Sequence, residues 1–206
     1  MVSTRPTLAV IRAVTLWLAF AVFAGSQNLP AQLLPPPLPS ALIVALTVVI
    51  LTVAVASAWF REWLMSLDVR ALVLVHVTRI VAGLLLLAFY QRGALPYAFA
   101  VPAGIGGIIG AVMAIGVVLA TDAQATRGRW LLAAWNLLGL ADAVMVTATA
   151  AWIGSVDADS MAALLRLPLS LLPTWLVSIL IATHLILFVR LSRREAVPAR
   201  GKFGVP

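Results

Sequence analysis

Ala71–Tyr90 reads ALVLVHVTRIVAGLLLLAFY. It is apolar over the ~20 residues that a helix needs to cross the hydrocarbon of a bilayer, yet it carries His76 and Arg79 about one helical turn apart. An ionisable side chain at that depth is costly, and it persists only where it faces a protein interior or a water-filled cavity with partners. The rest of the chain is therefore read for what surrounds these two residues.

Hydrophobic residues make up 63% of the 206 residues and charged residues 10%; mean hydropathy is +1.10. A soluble domain carries about 25% charge, so these values imply an integral membrane protein. Five further apolar runs match the first in length. Together the expected spans are Leu8–Gly25, Ala41–Trp59, Val69–Tyr90, Tyr97–Ala120, Trp130–Ile153 and Ser170–Leu191. Unbroken runs without dyad alternation exclude an outer-membrane barrel and point to helices. The expected fold is all-α: a six-span helical bundle over residues 1–191, followed by a basic tail, 192–206. Arg5 and Arg12 ahead of a short apolar core, with Val22-Phe23-Ala24 after it, also fit a cleavable signal peptide. The run is kept as the first span.

The net charge of +7 does not mark a nucleic-acid binder, because the basic residues sit in short connections between apolar runs rather than on one folded face. Arg5, Arg61, Arg70, Arg127, Arg129 and the tail residues Arg190, Arg193, Arg194, Arg200 and Lys202 fall on one side; Arg92 and Arg166 fall on the other with Asp157 and Asp159. The positive-inside rule then places both termini in the cytoplasm. Cysteine is absent, which excludes disulfides, thiolate metal sites and covalent haem attachment. The single lysine, Lys202, lies in the tail, so no span offers a Schiff base. The proline-rich segment Gln27–Ser40 is expected to be an extended, PPII-like cover on the outer side. The basic tail is expected to meet anionic lipid.

His76 and His184 are the only two histidines. The third span runs outward and the sixth inward, so each ring lies about six or seven residues, or ~10 Å, from the inner end of its helix. Two imidazoles at matched depth on different helices suit the axial positions of a b-type haem. In that reading Arg12 and Arg190 meet the propionates, and Gly106 and Gly110 in the fourth span admit the flat macrocycle. Gly106 and Gly110 also form a GxxxG, whose ordinary role is tight helix packing or self-association into a homo-oligomer. Deeper in the bilayer, Arg79 and Asp142 reach similar depth on the third and fifth spans and are expected to pair, with Asn136 beside them. The function expected first is electron transfer or gas sensing through haem b, with an unidentified redox partner. The alternatives are a small proton-coupled transporter using Arg79 and Asp142, and a structural assembly factor whose polar residues clip helices.

The segments HVTR (His76–Arg79), PAGIGG (Pro102–Gly107), WNLLGLADAV (Trp135–Val144) and LPLSLLPTWLV (Leu167–Val177) followed by His184 resemble a group of small bacterial membrane proteins of unassigned function. The resemblance covers roughly the last two-thirds of the chain. It implies residence in the bacterial cytoplasmic membrane and lends no activity. The pattern often places an acidic residue after PAGIG, where this chain has Gly107.

Overall fold

A computed structural model describes residues 4–35, 37–120 and 126–195. Nine α-helices occur among these residues: α1 Thr4–Ser26, α2 Leu29–Leu33, α3 Leu38–Ala56, α4 Ala58–Ser66, α5 Val69–Leu74, α6 Thr78–Gln91, α7 Tyr97–Ala120, α8 Thr126–Val156 and α9 Val177–Glu195. A 3₁₀ turn, Val75–Val77, joins α5 to α6, and a π turn, Leu172–Leu176, leads into α9. Six stretches are long and apolar enough to cross a membrane: Thr7–Ser26, Leu38–Ala56, Val69–Gln91, Tyr97–Ala120, Gly128–Val156 and Leu172–Ser192. The fold is that of a polytopic α-helical membrane protein, and six crossings return the described chain to the face on which it began.

The expected spans agree closely with these stretches except at the end of the second. Ala41–Trp59 does not run through. The helix stops at Ala56 because Ser57 turns extended (φ −95, ψ 107) and its side chain caps α4, accepting from Phe60 N–H at 3.3 Å. A serine cap of this kind satisfies an otherwise orphaned donor at a helix start. Helix α4 is amphipathic, burying Leu64 and exposing Trp59 and Glu62. Asp68 caps α5 in the same way through Arg70 N–H at 2.9 Å. The proline-rich segment is also more ordered than expected, since α2 forms with Pro30 in its first turn, where a missing N–H costs nothing. Helix α9 continues through Glu195, so Ser192–Glu195 belong to it rather than to a frayed tail. Residues 196–206, with Arg200 and Lys202, lie outside the described residues.

Helices α3, α5–α6, α7, α8 and α9 pack on one another, while α1 touches only α2, α4 and the π turn among its principal neighbours. Three contacts hold α1 there. Trp63 Nε1 donates to Thr7 Oγ1 at 3.1 Å, and Trp17 Nε1 donates to the Thr174 carbonyl at 2.9 Å. Gly25 lies so close to Leu167 and Ser170 that a Cβ would sit 2.7 Å from Leu167 Cγ. The α6–α7 hairpin turns at Gly93, whose φ of 69 suits a residue without Cβ. Two apolar cores result. One, around Trp135, Leu132, Leu72 and Leu187, lies toward the face with the chain ends. The other, around Phe99, Leu86, Met161 and Leu169, lies toward the opposite face. A polar layer separates them.

Candidate functional site

The polar layer is assembled from five elements. The 3₁₀ turn holds His76, and α6 begins with Thr78 and Arg79. Helix α8 supplies Trp135, Asn136, Gly139 and Asp142, whose spacing of three and four residues keeps them along one side. Helix α9 supplies Thr183 and His184, and α7 contributes glycines.

The two histidines meet as their depths required. Both are fully buried, with ring centroids 4.1 Å apart and planes inclined by 42°. Trp135 stands against both, 5.1 Å from His76 and 5.4 Å from His184, and its Nε1 donates to the Gly110 carbonyl at 3.0 Å. The tautomers follow from the neighbours. Thr183 Oγ1 donates to the Leu180 carbonyl at 2.8 Å, so it accepts from His76 Nε2–H at 3.1 Å. Asn136 Nδ2 donates to the His184 carbonyl at 3.0 Å, which turns its Oδ1 toward His184 Nδ1–H at 2.8 Å. The remaining nitrogens, His76 Nδ1 and His184 Nε2, are buried acceptors that meet no hydrogen-bonding group of the described protein.

Beside them Arg79 Nη2 donates to Asp142 Oδ2, the ion pair the depths implied. Asn136 does not join that pair; it clamps His184 by ring and backbone together. The glycines of α7 are likewise placed otherwise than expected. A Cβ on Gly106 would lie 2.5 Å from Asp142 Oδ1, and one on Gly110 would lie 3.3 Å from Arg79 Cζ. These two residues cradle the ion pair within the chain. Gly104 faces Gly83, where a Cβ would meet the Gly104 carbonyl at 2.5 Å, giving the close approach of α6 and α7. Gly139 makes the corresponding room for His184, with a Cβ position only 2.5 Å from Cε1.

The arginines proposed for propionates are not gathered here. Arg12 is exposed on α1, away from the layer. Arg190 is buried near the other end of α9 and donates to the Leu64 carbonyl of α4 at 3.3 Å. Nor do the histidines, as packed, fit a bis-imidazole haem. A metal–imidazole bond of about 2 Å on each side sets ring centroids about 6 Å apart, whereas here they stand at 4.1 Å. A porphyrin between them requires α9 to part from the 3₁₀ turn.

Above the layer, toward the loop face, lies a chamber with a volume of ≈ 120 Å³ open to the centres of water-sized molecules. Its walls are apolar, among them Ile43, Leu86, Phe99, Val146, Met161 and Leu176. Exposed Pro37 and Ala158 form its rim, and Arg79 with Asp142 its floor. The two floor side chains differ in access: that of Arg79 is 7% exposed and that of Asp142 29%. The chamber, Trp135 and Thr183 were not singled out from the sequence. Trp135 and Gly139 are legible in hindsight from their seven- and three-residue spacing to Asp142, and Thr183 from its place beside His184.

Fold and site together define a polytopic membrane protein built around a buried ion pair and a buried histidine pair. The chain belongs to the family described as a domain of unknown function, DUF8737, whose model matches residues 36–192. That match begins just ahead of α3 and leaves out α1, the helix at the edge of the bundle. No curated protein and no solved structure matches the chain.

Proposed function

We propose that the protein is a small carrier of the bacterial cytoplasmic membrane, with both termini cytoplasmic, whose substrate enters the chamber and meets Arg79 and Asp142 at its floor. The observation that carries this reading is one-sided access. Arg79 and Asp142 line a chamber whose wall also includes the exposed Pro37 and Ala158, while the histidine pair, Trp135 and Asn136 beside them are buried. A polar site open to one face and sealed from the other is one half of an alternating-access cycle. Interrupted helices flank the site, as expected of such carriers: the 3₁₀ turn lies just before Arg79, and the π turn brings Pro173 and Leu176 to the chamber wall. His76 Nδ1 and His184 Nε2 present buried lone pairs below the ion pair. The arginine asymmetry across the spans supports the orientation.

The chain has no cysteine, so single cysteines report access directly. Ala150→Cys in the chamber wall should react with a membrane-impermeant maleimide from the loop face. Ala114→Cys, fully buried beneath the layer, should react from the other face as the carrier cycles. If Ala114→Cys stays unlabelled under conditions where exposed Ser66→Cys reacts, the carrier reading is overturned. A visible spectrum separates it from the haem reading: protein from haem-replete cells should be colourless, and a Soret band lost in His76→Ala and His184→Ala would restore haem b.

A further inference from the structure

The polar groups that the chamber offers are few, and their hydrogen-bonding capacity is one-sided. Ser40 Oγ donates to the Thr147 carbonyl at 3.2 Å, and Thr147 Oγ1 donates to the Ala143 carbonyl at 2.8 Å. Both hydroxyl hydrogens are therefore in use, which leaves only acceptor lone pairs. Arg79 donates to Asp142 and is nearly covered, whereas the Asp142 carboxylate keeps an accessible surface. The polar group most open to a ligand is thus an acceptor, the Asp142 carboxylate, in an apolar enclosure. A ligand that brings a donor is favoured, because Asp142 is the more accessible member of the pair, 29% against 7%, and the two hydroxyls have their hydrogens engaged.

Charge narrows the class further. Arg79 and Asp142 already neutralise one another. A cationic ligand would add an unbalanced positive charge beside the guanidinium, and an anionic one would face the exposed carboxylate. Size sets the last limit, since the chamber's ≈ 120 Å³ is of the same order as the ~150 Å³ of an apolar cavity that admits benzene.

We propose that the chamber binds a neutral, apolar molecule about the size of one aromatic ring that carries a single O–H or N–H donor, of the phenol or indole type, with the donor directed at Asp142. This assignment rests on the carrier reading and names the substrate class for the same site. Asp142 recognises the donor, Arg79 holds its carboxylate in place, and Gly106 leaves the room that the carboxylate occupies.

The test uses the full chain in lipid nanodiscs with fluorine NMR of 4-fluorophenol, 4-fluorotoluene, 4-fluorobenzylamine and 4-fluorobenzoate, with empty nanodiscs as the baseline. The phenol should bind at least roughly tenfold more tightly than the isosteric toluene, the ratio for one hydrogen bond to a charged acceptor. The amine and the carboxylate should bind no better than the toluene. Ala150→Leu fills the chamber without touching the ion pair and should abolish binding of the phenol. Equal binding of phenol and toluene, or a preference for the amine or the carboxylate, overturns the assignment of ligand class and leaves the carrier reading standing. Phenol binding that persists in Ala150→Leu lies outside the chamber and overturns it as well. No saturable binding of any probe overturns the assignment too, and the cysteine labelling then decides the carrier reading separately.

Discussion

Gly139→Ala and Gly116→Ala make the same chemical change in two membrane-spanning helices, and the structure assigns them opposite signs. At Gly139 the added methyl would sit 2.5 Å from His184 Cε1 and 2.8 Å from its Nε2. The ring has nowhere to retreat, because Asn136 bonds both its Nδ1 and its own backbone carbonyl and Trp135 stands 5.4 Å from it. Forcing a methyl into such a packed site costs about 1–3 kcal/mol. At Gly116 nothing lies within 4 Å of the added atom, so only the helix preference for alanine acts, about 1 kcal/mol in favour. That preference is common to both variants and cancels in their difference, leaving Gly139→Ala less stable than Gly116→Ala by about 1–3 kcal/mol. Reversible unfolding by a denaturing detergent in mixed micelles, followed by tryptophan fluorescence, measures the difference. Equal midpoints, or a less stable Gly116→Ala, would refute the packing of His184 against Gly139.

The other expectations concern the ion pair and the clamps. Arg79→Gln leaves the half-buried Asp142 carboxylate without its cation and should lower stability by about 1.5–3 kcal/mol, the worth of a hydrogen bond to a charged group; the double variant Arg79→Gln/Asp142→Asn removes both charges and should recover part of that loss in the same unfolding assay. Asn136→Leu deprives His184 of both its bonds and should cost about 1–3 kcal/mol, with the tryptophan emission of the folded state shifting because Trp135 adjoins the freed ring. Trp17→Phe deletes the bond to the Thr174 carbonyl and should lower the unfolding midpoint by about 1 kcal/mol equivalent, without altering cysteine labelling at Ala150.

Span number, length and position were legible in the sequence because hydropathy reports what a bilayer demands of a helix. The end of α3 was not, because Ser57 stops the helix with a local hydrogen bond that hydropathy does not register. The histidine pair and the Arg79–Asp142 pair were legible for a geometric reason: antiparallel helices with a fixed rise convert residue counts into depth. Depth, however, says nothing about azimuth. Asn136 lies close in level to both His184 and the ion pair, and only the rotation of α8 sends it to the imidazole. The α7 glycines suffered the same ambiguity, since a stripe of small residues marks a close approach without naming what approaches. The chamber is a property of five helices at once, and no single stretch records it.

The anchorage of α1 bears on the order in which the molecule comes together. Trp17 is separated from its acceptor at Thr174 by 157 positions, and Gly25 leans on Leu167 and Ser170 in the same late segment. Helix α1 meets α2 and α4 close by in the chain, but its contacts with Thr174, Leu167 and Ser170 form only once that later segment is in place. Full anchorage of this helix therefore waits on residues 167–174.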